Sequence, residues 1–349
     1  MVVDGENACA RDAAARGVAG KIGASQIDAP VRAGIMQSKN KATLIGLTAV
    51  LLWASIVGLI RGVSQNLGAV GGAAMMYSAA SVLLLFSVGF IRLKAFPRRY
   101  LVWGSLLFVS YELCLSLSIG FAHTSRQAIE VGMVNYLWPA FTMLSAIAFN
   151  RQRANFLIVP GFLMAILGIC LVLGGDQGLD FAGMVSNVKD NPLSYGLAFS
   201  GAVIWAAYCT VTARIAQGKN GVTLFFMLTA LALWIKFFAT GGGTLHFSYE
   251  AIVYLALAAS AMGFGYAAWN VGILHGNVTV LAGASYFIPV FSAALAAALL
   301  RTPLSFAFWK GASMVCAGSV LCWLATRGKG VRMPSASQPP QPSQGAQGQ

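Results

Sequence analysis

The sequence predicts an all-α polytopic membrane protein of ten transmembrane helices, built as a 5+5 inverted-topology repeat. Three observations predict it. Of 349 residues, 58% are hydrophobic and only 9% charged, where a soluble domain carries roughly a quarter charged residues. Ten apolar windows run through the chain, each near the length of helix that crosses a hydrocarbon core about 30 Å thick. The second half of the chain also repeats the first at a fixed offset.

The windows fall at about 41–62, 68–91, 100–122, 126–149, 155–174, 193–214, 221–240, 250–272, 277–300 and 304–326. Ahead of them, residues 1–38 are rich in Ala, Gly and charge and hold no apolar core of a signal peptide. They read as a disordered cytoplasmic segment, with Met36, directly before "QSKNKATLIGL", as an alternative start that N-terminal sequencing would settle. Residues 39–175 then form the first repeat with helices one to five. Residues 176–191 form an outer loop, and 192–327 the second repeat with helices six to ten. Residues 328–349 include the Pro-, Gln- and Ser-rich "MPSASQPPQPSQGAQGQ" and read as a disordered cytoplasmic tail.

The net charge of +13 invites a nucleic-acid partner, but topology accounts for it better. With the N-terminus inside, 17 of the 23 Lys and Arg fall on the inner side, among them Arg92, Lys94, Arg98, Arg99, Arg151, Arg153, Arg214, Lys219, Arg327, Lys329 and Arg332. Arg61, Arg126, Lys189, Lys236, Arg301 and Lys310 fall outside. The positive-inside rule therefore places both termini in the cytoplasm. The six cysteines show no spacing of a disulfide framework or a zinc site. Cys9 lies in the leading segment, and Cys114, Cys170, Cys209, Cys316 and Cys322 lie in the windows as small apolar residues. No metal and no cofactor is expected.

The repeat emerges on comparing 127–173 with 277–323, without a gap. Tyr136 meets Tyr286, Pro139 meets Pro289, Phe141 meets Phe291, Arg151 meets Arg301, and Gly161 and Gly168 meet Gly311 and Gly318. The offset of 150 spans five helices, an odd number, so the second copy enters the membrane inverted. Such repeats characterise secondary transporters, whose sites lie near the midplane between the copies. Pro139 and Pro289 sit near the middle of their windows. Each lacks an N–H and frees a carbonyl, that of Asn135 or of Ser285. An unsatisfied carbonyl is costly in lipid, so these faces should line protein or a wet cavity. A kink closed by packing is the alternative. Asn135, Tyr136, Trp138, Ser285 and Tyr286 around the matched prolines favour the cavity.

Further polar aromatics lie mid-window: Trp53, Tyr77, Tyr111, Trp205, Tyr208, Tyr266 and Trp269, with Asn270 beside the last. Tyr and Trp usually sit at the bilayer interfaces, and mid-span they want a polar partner. Each alone is better explained by core packing or an interface belt. Trp205 and Tyr208, three apart on one helical face, are the better candidates for a cavity wall. Glu112 is the one acid near a span centre. Burying its charge costs about 3 kcal/mol on insertion scales, so it should face the interior or be neutral. A proton or amine site and a hydrogen-bonded neutral carboxyl are equal readings. Arg126 and Glu130, four apart, read as a structural ion pair, and His123 and His275 as helix caps. Gly161 with Gly168, and Gly311 with Gly318, mark faces for close packing within the chain.

The runs "KATLIGL", "SLLFVSYELCLSLSIGFA", "QAIEVGMVNYLWP", "PLSYGLAF", "IWAAYCTVTARIA", "YAAWNVGILHGNVT" and "LCWLATR" closely resemble the YddG-type aromatic amino acid exporters of the EamA branch of the drug/metabolite transporter superfamily. The resemblance spans about 39–327. It implies a bacterial inner-membrane, multi-pass protein that exports Phe, Tyr, Trp and related compounds through a central cavity. Tyr111, Asn135, Tyr136, Trp138, Trp205 and Tyr208 stand at the matching cavity positions.

The expected substrate-cavity set is thus Tyr111, Glu112, Asn135, Tyr136, Trp138, Trp205, Tyr208, Ser285 and Tyr286, with Pro139 and Pro289 as kinks. The partners are a small amino acid substrate and the lipid bilayer, with protons as a candidate co-substrate, no nucleic acid, and a monomeric state. One rival is export of another solute, such as a cationic or amphipathic drug, which Glu112 and the rings would suit; a phosphate-bearing solute would want a mid-span Lys or Arg. A membrane-embedded enzyme is the other. No base, nucleophile and orienting group converge by spacing, so an enzyme is not expected.

Overall fold

The computed structural model describes residues 29–89, 93–150 and 152–326, with the side chains of 29–36 excepted. The readings placed on 1–28, on Cys9, on Arg92 and Arg151, and on 327–349 lie outside the described residues. Among the described residues the chain is helical, with no strand.

The leading segment is helical at its end. α1 runs Ala29–Leu67, so the helix starts inside the stretch 1–38. Pro30 in its first turn leaves no needed N–H unmade. Gly68, at φ 76°, turns the chain directly into α2, Ala69–Val88. A π-helical turn, Tyr100–Gly104, leads into α3, Ser105–Gly120.

The fourth window breaks into α4, Ser125–Asn135, and α5, Trp138–Asn150, with Tyr136 and Leu137 between them. Thr124 caps α4 by accepting from the Gln127 N–H. α6 is Ile158–Leu173. The segment expected as an outer loop contains a helix, α7, Phe181–Asp190, capped by Asp180. Its Met184 and Val188 pack on the core while Phe181 and Val185 stay exposed. That two-sided pattern, rather than a long apolar run, is why it folds as a surface helix.

The second half repeats the plan. α8 is Pro192–Ile215, α9 Val222–Ala239 and α10 Tyr249–His275. The ninth window breaks into α11, Val278–Ser285, and α12, Ile288–Leu299, bent by 52°. α13 is Phe306–Thr326. Both breaks fall immediately before a proline ring, where the backbone N–H of a regular helix is missing.

Among the described residues eight helices are long and apolar enough to cross a bilayer, or nine if the bent pair counts as one span. α6 is apolar but has 16 residues, about 24 Å of helix against a core about 30 Å thick. The protein is a multi-pass membrane protein.

Four helix pairs make the main contacts: α1 with α10, α3 with α8, α2 with α9, and α6 with α13. The last is a glycine seam. A Cβ on Gly168 would stand 2.6 Å from the Gly311 oxygen, and one on Gly318 would stand 2.5 Å from the Gly161 oxygen. Only glycine allows that approach, and it lies within the chain, as the spacing predicts. Phe108 centres the aromatic core, with Tyr208, Phe225 and Phe226 within 5.7 Å and Trp205 and Tyr266 within 6.1 Å, ring to ring.

Candidate functional site

The breaks, the long helices and the ring cluster meet around one cavity. It offers about 80 Å³ to the centre of a water molecule, room for several waters. α1 contributes Trp53, Ile56 and Val57 to its wall, and α3 contributes Tyr111, Glu112 and Leu115. Gly132 and Asn135 of α4, Tyr136 of the break, Trp138 of α5 and Trp205 of α8 line another side. Met262 and Tyr266 of α10 and Ile288 of α12 close it.

Trp205 organises the aromatic part. Its ring lies 4.3 Å from Tyr111, 5.0 Å from Tyr208 in a stacked pair, and 6.3 Å from Trp138, which meets it edge-on. These spacings suit aromatic pairs.

Glu112 organises the polar part. It is 1% exposed. Its Oε2 accepts from the Tyr77 hydroxyl at 2.7 Å, and its Oε1 accepts from the Tyr266 hydroxyl at 3.2 Å. Tyr77 is fully buried behind it, while Tyr266 shares the cavity wall. Two donors offset part of the cost of removing the carboxyl from water. Asn135, 3% exposed, donates from Nδ2 to the Tyr111 hydroxyl at 3.5 Å, and its Oδ1 has no partner among the described residues. The cavity therefore offers a carboxyl, a free amide oxygen and stacked rings, and among the described residues no Lys or Arg lines it.

Of the residues singled out from sequence, Tyr111, Glu112, Asn135, Tyr136, Trp138 and Trp205 come together in this wall. Tyr208, Ser285 and Tyr286 do not. Tyr208 stacks behind Trp205. The Ser285 hydroxyl donates to the Ala282 carbonyl at 2.8 Å, and Tyr286 packs 5.8 Å from Trp323 of α13. The second break bends sharply and presents Ile288 to the cavity instead. Pro139 and Pro289 are buried at the starts of α5 and α12. Sequence reasoning missed Ile56, Val57, Leu115, Gly132, Met262 and Ile288, which carry no polar signal. Trp53 and Tyr266 had that signal, as polar aromatics in mid-window.

A second polar cluster lies at the end of the bundle where α4 and α8 begin. Arg126 pairs with Glu130 at 3.2 Å, as the spacing predicts, and reaches Asp176 at 2.7 Å. The Arg126 guanidinium holds the Asp176 carboxyl below its usual range. The Tyr195 hydroxyl donates to Glu130 at 2.8 Å. His123 is not a simple cap: its ring Nδ1 lies 3.2 Å from Asp190 at the end of α7. His275 is the last residue of α10.

The EamA-like transporter family model matches residues 192–324. The aromatic amino acid exporters YddG of Salmonella typhimurium and Escherichia coli K12 are 61% and 60% identical to this chain over 290 residues, which are 83% of this chain and 99% of each relative. A solved crystal structure shares the fold, with a TM-score of 0.55 at 24% identity over 82% of this chain and 99% of the other. The relatives are named as exporters in a transporter family, not as enzymes. With identity of this order over nearly the whole of both exporters, the chain belongs to the family of the YddG aromatic amino acid exporters and carries its EamA-like transporter domain.

Proposed function

We propose that this protein exports aromatic amino acids from the cytoplasm across the bacterial inner membrane by alternating access through the central cavity. The observation that carries the reading is the cavity itself, where a carboxyl and an unpaired amide oxygen stand beside stacked rings. The names of the two exporters that share about three fifths of its residues support it.

In this reading the substrate ring stacks in the space bounded by Trp205, Trp138, Tyr111 and Tyr136. Its ammonium group is met by Glu112 and by the free Asn135 Oδ1. Ten spans form two inverted repeats of five, with both termini in the cytoplasm, and α6 and the bent pair α11–α12 each count as one span.

Two features support that architecture. Both interruptions sit before the matched prolines, 150 residues apart. The helix pairing also survives exchange of the halves. The α1–α10 pair becomes α8–α3, the α5–α8 pair becomes α12–α1, and α2–α9 and α6–α13 map onto themselves. Rocking of one half against the other then opens the cavity to alternate sides. Ser285, Tyr286 and Tyr208 take the role of supporting that movement from outside the wall.

Proteoliposomes loaded with labelled phenylalanine test this. Efflux above that of empty vesicles is the expected result, and a response to a pH gradient beyond the effect of membrane potential would assign a proton to Glu112. Efflux no greater than from empty vesicles would overturn the assignment. The absence of Lys and Arg from the cavity wall among the described residues favours, as a second reading, cationic aromatic compounds carried by the same rings.

A further inference from the structure

Among the described residues the cavity wall carries a carboxyl but no Lys or Arg, yet an amino acid brings a carboxylate that must also leave water. Trp53 and Val57 stand on successive turns of one face of α1, and both line the cavity. The next residue on that face is Arg61, one turn or about 6 Å further along. It is 7% exposed. Its Nη1 donates to the Ala122 carbonyl at 2.6 Å and its Nη2 to the His123 carbonyl at 3.3 Å, while its Nε has no partner among the described residues.

Arg126 is held by Glu130 and Asp176, and His123 faces Asp190. Arg61 has no acid among the described residues. The two carbonyls follow the C-terminal end of α3, whose partial negative charge offsets only part of a guanidinium. A buried cation without a counter-ion is a standing demand for an anion, and a guanidinium is the side chain that best fits a carboxylate.

We infer that Arg61 is a carboxylate station on the path out of the cavity, receiving the α-carboxylate of the amino acid after it leaves Glu112 and Asn135. The inference rests on the export reading. From Glu112 to the end of α3 at Gly120 is eight residues, about 12 Å of helix, and Ala122 lies beyond that end, too far for one amino acid to touch both. The ammonium and the carboxylate are therefore met in succession, not together. Hydrogen bonding to the two carbonyls fixes the guanidinium, and its Nε, buried and unpaired among the described residues in this state, meets the passing group when the halves rock apart.

The test uses labelled phenylalanine export by the full-length protein in proteoliposomes, inhibited by 3-phenylpropionate, which has the ring and the carboxylate, or by phenethylamine, which has the ring and the ammonium. Arg61→Gln should raise the inhibition constant of phenylpropionate about tenfold, the size of one charge-assisted hydrogen bond, and leave that of phenethylamine unchanged. Arg61→Lys, which keeps a charge on the two carbonyls, carries the test if the glutamine variant does not fold; the same ratio should rise, by less. An unchanged ratio, or a wild type indifferent to phenylpropionate, overturns the station and leaves Arg61 as a cap on α3. A wild type that exports no phenylalanine would instead overturn the export reading.

Discussion

Gly311→Ala adds one methyl group to α13 where it crosses α6. The new Cβ would lie 2.5 Å from the Gly168 carbonyl oxygen, 2.9 Å from the Val172 Cγ2 and 3.0 Å from the Val172 backbone nitrogen. Side-chain carbons essentially never approach closer than 3.0 Å, so α6 must withdraw by at least 0.5 Å, and by 0.9 Å for an ordinary contact at 3.4 Å. Two of the three obstacles are backbone and cannot rotate away. A gap of 0.5–1 Å forfeits about a quarter to a half of each dispersion contact along the seam. Overpacking of this kind costs about 1–3 kcal/mol, against about 1 kcal/mol of helix propensity gained by replacing glycine with alanine. The net expectation is a loss of up to about 2 kcal/mol. The control is Gly196→Ala on α8, where a Cβ meets nothing within 4 Å. Thermal unfolding of the purified protein in detergent should show the Gly311 variant melting below wild type and the Gly196 variant at or above it. A Gly311 variant as stable as wild type would refute the idea that backbone contact holds this seam.

Three further outcomes follow from the geometry. Tyr77→Phe removes the shorter of the two hydrogen bonds to Glu112 and leaves a buried carboxyl oxygen unpaired, which should cost about 1–3 kcal/mol. The loss should exceed that of Tyr266→Phe when both are compared by thermal unfolding. Gly201→Ala would put a Cβ 3.1 Å from the Asn135 Oδ1, displacing the free acceptor; the KM for phenylalanine should rise by about threefold or more with folding intact, on the scale of a weakened hydrogen bond. Asp176 is held below the usual carboxylate range by Arg126. A depressed carboxylate contributes above its unfolded pKa and is lost as pH falls through its lower folded value. The Arg126–Asp176 contact should therefore persist at neutral pH and open only below about pH 4. Asp176→Asn should raise amide exchange across 175–190 at neutral pH, and no change there would contradict the contact.

The sequence made much of this arrangement legible because membranes punish polar groups that lack a reason. Asn135, Trp138 and Glu112 stand out against a lipid-like background, and all three line the cavity. The helix breaks were visible as well, since a proline removes a backbone donor whatever surrounds it. The asymmetry between the copies was not. Tyr136 and Tyr286 occupy matched positions, yet only the first faces the cavity, because the 52° bend and Trp323 draw the second toward α13. Trp205 and Tyr208 share a helical face, and spacing alone does not tell the ring on the surface from the one stacked beneath it. The apolar part of the wall, Ile56, Val57, Leu115, Met262 and Ile288, looks like any membrane core in one dimension. The helix Phe181–Asp190 was hidden in the outer loop because it is short and only half apolar.

The central claim is that an aromatic side chain passes through the space beside Trp205 and Trp138. The measurement that tests it most directly is phenylalanine efflux from proteoliposomes carrying wild type, Trp205→Ala or Trp138→Ala at matched protein content. Losing one stacking partner removes about 1 kcal/mol or more of contact, so each variant should raise the KM by about fivefold or more while the protein stays folded. Efflux and affinity unchanged in both variants would contradict the claim and move the path of the substrate away from this cavity.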